Sequence, residues 1–289
     1  MAGENATGTD VLQRRLAGLD ALELPVNPRR SRAVRTWAAV WPKGAAVVIG
    51  LLAWQLLVWA GWKPTYLLPG PFTVFHHLWA DRHPVSSGVL TTLRRAVVYY
   101  ATALTLGTVV AWAITRLRAV RDTVVPLATG LQSMPSVAWV PIAILLFGVR
   151  PEAILFVTIA GSVPAVIIGT VAAIDAVPPV LLHAGDVMGA RGLNRFRFIV
   201  FPAALPGYVA GMRQAWAFAW RSLMAGELIV AARGSQSLGQ LLSAYQDQSL
   251  AADVLAVMLA ILAVGLLMDG LVFSRLERSV LVRRGLRAV

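Results

Sequence analysis

The chain has 289 residues, 57% of them hydrophobic and only 14% charged, so it lacks the charged surface of a soluble domain of this length and points to the bilayer. Its formal charge of +12, from 26 basic against 14 acidic residues, raises nucleic acid as a partner until the charges are placed along the chain. With no cysteine, disulfides, thiol nucleophiles and cysteine metal sites are excluded.

Residues 1–43 are polar and rich in Arg, Pro and Asn, and the first apolar run starts near Gly44, too late for a secretory signal. This tail is expected in the cytoplasm and at least partly disordered. Within it, VLQRRLAGLDAL (11–22) reads either as a short amphipathic helix on the anionic inner leaflet or as a weakly structured segment.

Crossing a hydrocarbon core of roughly 30 Å takes about 20 helical residues. Six stretches qualify, at 44–61, 91–114, 124–147, 153–174, 207–231 and 254–273. Their lengths predict an all-α membrane protein, since barrel strands are about half as long and alternate in polarity. Trp54, Trp59, Trp62 and Tyr66 read as an outer aromatic belt. HHLWADRH (76–83), which holds three of the four histidines, reads as a hydrated loop rather than a metal centre.

The third span carries Gln132, Ser133, Pro135, Ser136, Trp139 and Pro141. Pro135 cannot donate to the Leu131 carbonyl, which predicts a freed acceptor at depth, either a pathway feature or a packing kink. Pro164 in the fourth span carries the same pair of readings. In the fifth span Arg213, Trp216, Trp220, Arg221 and Glu227 fall within about 140° of one face at about 100° per residue. A charge at the bilayer centre costs at least about 2.5–3.5 kcal/mol, so that face is expected to meet protein or water. Arg213 is close enough to the span end to snorkel. Arg221 reads either as an attractor of anionic substrate or as a partner of Glu227 or of an acid on another span. GYVAG (207–211) is a GxxxG that packs spans within a subunit or across a dimer.

Only Lys43 and Lys63 are lysines; the other 24 basic residues are arginine. With the N-terminus inside, the segments on that side hold 18 basic residues and the outer side six, which sets both termini in the cytoplasm. The arginines that hold loops inside account for the net charge without nucleic acid. The resulting domains are a tail at 1–43, a membrane domain at 44–274 with a cytoplasmic loop at 176–206, and a basic tail at 275–289.

That loop, VPPVLLHAGDVMGARGLNRFRFIVFP, opens on Pro178 and Pro179 and closes on Pro202, with short helices predicted at 180–188 and 193–201. Gly189 and Gly192 flank the junction, where glycine permits a sharp reversal. Phe196, Phe198, Ile199, Val200 and Phe201 make its second half apolar enough to need a membrane or a partner, rimmed by Arg191, Arg195 and Arg197.

These residues resemble the cytoplasmic motif of ABC importer permeases: E-A-A, three residues, G, nine residues, I, one residue, L-P. His183-Ala184-Gly185, Gly189, Ile199, Phe201 and Pro202 keep every gap, with His183 in place of the glutamate, Gly185 for the second alanine and Phe201 for the leucine. LQSMPSVAWVPIAILLFG (131–148), PAALPGYVAGMRQAWAFAWRSLMAGELI (202–229), YLLPGPFTVFHHL (66–78) and LLMDGLVFSRLERSVL (266–281) are similar to the branch that serves nitrate, sulfonates, taurine and bicarbonate. The resemblance covers about residues 45–281.

The resemblance implies the type I importer permease fold with six spans, in a bacterial inner membrane. It implies a homodimeric pore, two separate ABC ATPase subunits that hold ATP and Mg, and an extracytoplasmic binding protein. The loop would be the helix that seats in a groove of the ATPase, through His183, Ala184, Gly185, Gly189, Arg191, Phe196, Ile199, Phe201 and Pro202. Gln132, Ser133, Pro135, Trp139, Trp220, Arg221 and Glu227 are the candidate pathway residues. Transport would run by alternating access, for an aliphatic sulfonate or taurine, or else nitrate, bicarbonate or a vitamin precursor. The sequence holds no GxxxxGK[ST], so the chain does not itself bind ATP by a P-loop. It also holds no HExxH or GxSxG, and no internal repeat supports an ion-coupled transporter.

Overall fold

The computed structural model describes residues 32–230 and 236–283 and contains no strand among them. The 11–22 segment, Arg233 and residues 284–289 lie outside the described residues. The chain divides into two compact units, Met1–Ala60 and Gly61–Val289.

In the first unit, helix α1 (Arg32–Trp59) starts inside the segment expected as a tail and runs through Pro42. Its apolar part spans Trp41–Trp59.

The second unit opens with α2 (Pro71–Ala80), where extended Gly70 and Pro71 at the first helical turn start the helix. His76 and His77 therefore sit on a helix, not in the loop expected from HHLWADRH. Val74 and Leu78, four apart, turn inward and supply the apolar stripe that the local reading missed. Helix α3 (Arg82–Ile114) begins earlier than expected. Val85, Gly88, Thr92, Ala96, Tyr100, Ala103, Gly107 and Ala111 form one buried stripe at helical spacing along it.

The predicted third span is broken. Helix α4 (Arg118–Ser133) stops, a 3-10 turn (Ser136–Trp139) follows, and α5 (Val140–Phe147) leaves at 101°. The residue before a proline avoids helical angles, and Met134 and Pro135 are both extended here. The Leu131 carbonyl is not freed as expected: the Met134 N–H donates to it at 3.2 Å.

Helix α6 (Pro151–Asp175) has Pro151 and Glu152 in its first turn, as a helix start favours, and carries buried Pro164 without ending. The hairpin α7 (Pro179–Val187) and α8 (Gly192–Arg195) leads through a π turn (Phe196–Val200) into α9 (Phe201–Ile229). Pro202 does not close the loop as expected. The π turn, in which the Phe201 N–H donates five residues back to the Phe196 carbonyl, lets the chain wind on past it. Helix α10 (Leu238–Asp247) is capped by the Ser237 hydroxyl, which accepts from the Gln240 N–H. Helix α11 (Ala251–Met268) continues by a second π turn (Asp269–Phe273) into α12 (Ser274–Arg283), past the expected end of the sixth span.

Four helical segments are long and apolar enough to cross a membrane, Trp41–Trp59, Arg82–Ile114, Pro151–Asp175 and Ala251–Val282, with the bent pair as a fifth. The 29 residues of α9 reach about 44 Å but include Arg213, Gln214, Arg221 and Glu227.

Helix α6 lies between α3 and α9, and glycines set the separations. A Cβ on Gly107 would fall 2.6 Å from Val166, and one on Gly211 would fall 3.0 Å from the Cα of Gly169. Gly207 meets Ala173 and Gly226 meets Ile154 in the same way. The GxxxG motif therefore packs within the chain, α9 on α6, resolving the choice that the sequence left open.

Gly211→Leu is expected to destabilise the detergent-solubilised protein by about 1–3 kcal/mol, because the new side chain meets backbone. Gly130→Ala, where nothing lies within 4 Å, is expected to be neutral or stabilising. Thermal unfolding of both variants checks this; unchanged melting of Gly211→Leu would mean that the helices do not meet at this point.

Candidate functional site

The 178–202 hairpin is built by its glycines. Helix α7 ends in a Schellman motif: the Ala190 N–H donates to the Gly185 carbonyl at 2.9 Å and the Gly189 N–H to the Asp186 carbonyl at 3.1 Å. That geometry needs the left-handed φ of +77° at Gly189, and Gly192 takes φ +56° to start α8. Gly185 is buried because the Ile199 side chain fills the space that a Cβ would take. Asp186 pairs with Arg195 at 3.1 Å across the turn, an exposed bridge worth little in stability.

The apolar residues of the loop divide. Phe196 turns inward, edge-on to Trp112 and tilted against Phe201, and Ile199 plugs the hairpin. Val187 (89% exposed), Met188 (76%), Leu193 (67%) and Phe198 (67%) point outward, while His183, Ala184 and Arg191 are also exposed. Pro202 is half-buried at the root and Phe201 is 49% exposed.

The candidate pathway residues are not brought to one place. Gln132, Ser133 and Pro135 cluster at the break, where the Ser133 hydroxyl donates to the Gly130 carbonyl at 2.7 Å. Ser136 of the 3-10 turn receives a 2.9 Å hydrogen bond from the Ser222 hydroxyl of α9, beside Gly161 of α6. Trp139 packs edge-on to Phe156, and its indole N–H is buried without a hydrogen-bond partner. Trp220 stacks on Trp216 at 6.1 Å and lies against Gly265 of α11.

The expected pairing of Arg221 with Glu227 is absent. Six residues separate them, about 9 Å of helical rise, beyond the spacing at which helix neighbours meet. Glu227 is fully buried instead and accepts from Thr92 at 2.8 Å and Arg95 at 3.1 Å on α3. Thr92 in turn accepts from the Leu238 N–H at 2.9 Å, and the Gly239 N–H reaches Glu227 at 3.4 Å, so the same cluster seats the start of α10. Arg221 is exposed: its Nε donates to the Ala217 carbonyl at 3.0 Å, and its guanidinium lies 4.7 Å from the Phe218 ring centre. Arg213 does not simply snorkel. It forms a fork onto Asp269, both bonds 2.6 Å, and reaches Glu277 at 3.2 Å.

Sequence reasoning missed Thr92, Arg95 and Ser222. The available signal was the i, i+3 pair Thr92 and Arg95 beside the small-residue stripe of α3. At the far end, His77 contacts Asp253 at 2.8 Å, and the Tyr245 hydroxyl donates to Asp81 at 2.7 Å. Burial and that carboxylate push the Tyr245 phenol up to about 12.

Residues 103–280 match the family described as binding-protein-dependent transport system inner membrane component. The chain belongs to this family. It is similar to a putative ABC transporter permease protein of Methanocaldococcus jannaschii, 29% identical over 148 residues, 51% of this chain and 54% of that protein. It is 27% identical to the bicarbonate transport system permease protein CmpB of Synechococcus elongatus, covering 82% of this chain and 88% of the other. With the taurine transport system permease protein TauC of Escherichia coli it shares 28% identity, over 78% and 85% of the two chains. Its fold is that of a chain of the MetNI methionine ABC transporter in an inward-facing conformation, with a TM-score of 0.58, 19% identity and coverage of 70% and 98%. This permease of the nitrate, sulfonate, taurine and bicarbonate branch is thus a non-catalytic inner-membrane subunit, and separate ATPase subunits hydrolyse ATP.

Glu227→Ala removes the buried carboxylate on which Thr92, Arg95 and the Gly239 N–H converge and is expected to destabilise the permease by about 3–5 kcal/mol. Arg221→Ala removes an exposed group and is expected to stay within about 0.5 kcal/mol. Unfolding in detergent measures both; equal stabilities would rule out a structural role for the buried pair.

Proposed function

We propose that two copies of this permease form the pore of an ATP-driven importer for a small anion in a bacterial inner membrane. Each copy crosses six times with both termini in the cytoplasm. Two ABC ATPases hold ATP and Mg, and an extracytoplasmic binding protein delivers the substrate.

The observation that carries this reading is the hairpin. It is closed by a Schellman motif and an ion pair and presents Val187, Met188 and Leu193 at its tip. It is plugged by Ile199 at its base. A rigid apolar tip suits insertion into a groove of another protein. His183, Ala184, Gly189 and Arg191 lie along the exposed side that such a groove would cover.

ATP-driven closure of the ATPases draws two such hairpins together. Because α6 and α9 touch backbone to backbone, a shift of the hairpin moves both helices rather than bending one. The Ser136–Ser222 bond ties the break in the third span to α9, so the break follows. Gln132, Ser133 and Pro135 at the break, with Trp139, Trp220 and Arg221, are the groups proposed to meet the substrate as the pathway alternates. Glu227 holds the pathway wall in place rather than touching the substrate.

An exposed guanidinium favours an anion, and an aliphatic sulfonate or taurine is the substrate put first. The likeness to a bicarbonate permease supports a second reading, an inorganic anion such as bicarbonate or nitrate, with vitamin precursors as a further class.

Gly189→Glu puts a side chain where φ is +77° and a charge at the apolar tip, and it is expected to cost most ATPase co-purification and uptake. Gly189→Asn, which tolerates left-handed angles, is expected to retain more of both. Full uptake by the Glu variant would sink the coupling role.

Growth of a deletion strain on taurine or an aliphatic sulfonate as sole sulfur source, against nitrate as sole nitrogen source, separates the substrates. A sulfur-specific defect rescued by the intact gene supports the first reading. A nitrate-specific defect moves the assignment to nitrogen uptake.

A further inference from the structure

A groove of about 510 Å³ opens between the hairpin-side ends of α3, α6 and α9, in the size range of small-molecule sites. Its walls are apolar and aromatic, with Val109 and Trp112 on α3, Phe196 at the π turn and Tyr208 on α9. One polar group inside is unmatched: the Thr170 hydroxyl is buried and has no hydrogen-bond partner. Thr102, Thr105, Thr129 and Thr158 all turn their hydroxyls back onto the carbonyl four residues earlier, the usual solution for a helical threonine. Thr170 does not, and an unmatched buried hydroxyl is costly unless something outside the chain accepts from it.

The mouth of the groove is cationic. Arg116, just past the end of α3, lies 4.7 Å over the ring of Trp112, and no carboxylate among the described residues pairs with it. Thr170 lies five residues before the end of α6, about 7–8 Å into the helix. A guanidinium at the rim, a hydroxyl donor one step deeper and an apolar channel beyond follow the order of phosphate, ester and acyl chain in a phospholipid.

We infer that this groove holds one anionic phospholipid of the inner leaflet, its phosphate on Arg116, an ester carbonyl accepting from Thr170, and an acyl chain between Val109, Phe196 and Tyr208. The assignment to the inner leaflet rests on the proposal that the hairpin end is cytoplasmic. A lipid seated there touches the root of the hairpin through Phe196, so its presence stiffens the element that meets the ATPase.

The test uses the full permease purified with the ATPase subunits it carries, exposed to equal amounts of phosphatidylglycerol and phosphatidylcholine, with retained lipid counted by native mass spectrometry. Wild type is expected to keep one phosphatidylglycerol per permease chain in preference to phosphatidylcholine. Arg116→Gln is expected to reduce that preference by about fivefold, the worth of one basic residue at an anionic surface. Val109→Trp, which fills the groove from an exposed position, is expected to abolish retention, and the isosteric Thr170→Val to weaken it. Equal retention of the two lipids by wild type, or wild-type retention by Val109→Trp, overturns the site. Loss of dimer rather than of lipid in Val109→Trp would also overturn it, in favour of a second copy as the occupant. ATPase co-purification in the same sample reports on the hairpin separately. A wild type that keeps its ATPases but no lipid sinks the lipid site alone, and one that keeps lipid but no ATPases sinks the coupling reading alone.

Discussion

The close contact of α6 and α9 at Gly169 and Gly211 is the constraint on which the rest of the second unit depends. In a bilayer, apolar side chains gain little by leaving lipid for protein, so helices are held by van der Waals fit, and the fit is best where glycine lets backbones meet. These are also the two helices that the hairpin joins. Any side chain at either glycine would pry apart the two helices that frame the hairpin. The same contact explains why α6 can be buried along most of its length while carrying Pro164. Its neighbours, not its own hydrogen bonds, fix its path.

Helix α9 would be an unfavourable membrane helix by itself. Charges in hydrocarbon cost at least about 2.5–3.5 kcal/mol each, and α9 has three. Two are neutralised by other helices: Glu227 by Arg95 of α3, and Arg213 by Asp269 and Glu277 of the last span. One pair lies near each end, and Ser222 adds a bond to the break between them. The polar residues that lower the apolarity of α9 are thus the ones that fasten it. Breaking one partner of such a pair costs more than the pair contributes, so these contacts act by specifying position more than by adding stability.

Much of this was legible in the sequence because it is local. The apolar segments Arg82–Ile114, Pro151–Asp175 and Ala251–Val282 follow from apolar length, and the hairpin reversal follows from Gly189 and Gly192, since few other residues accept their angles. The break at Pro135 was legible as a proline, but its 101° angle and the serine contact to α9 were not, because both depend on packing against distant residues. The π turns at 196–200 and 269–273 leave no periodic mark strong enough to read. The partners of Arg213 and Glu227 lie 56 and 132 residues away, and a helical wheel of α9 alone has no access to them. Arg94 and Arg95 look alike in sequence, yet about 100° of rotation leaves one exposed and turns the other to Glu227.

What distinguishes Arg221 is that its neighbours satisfy it only in part. A guanidinium carries five donor hydrogens. At Arg221 one is spent on the Ala217 carbonyl, and the ring of Phe218 covers one face. Arg221 lines an open cavity of about 540 Å³ with Trp220, Leu242 and Met258, and a water-filled or partner-lined space is the setting that suits its remaining donors. Ser222, the next residue, is bonded to the turn at the break. A shift of α9 that starts at the hairpin therefore displaces the one cation of this helix that has no carboxylate among the described residues, together with the break in the third span.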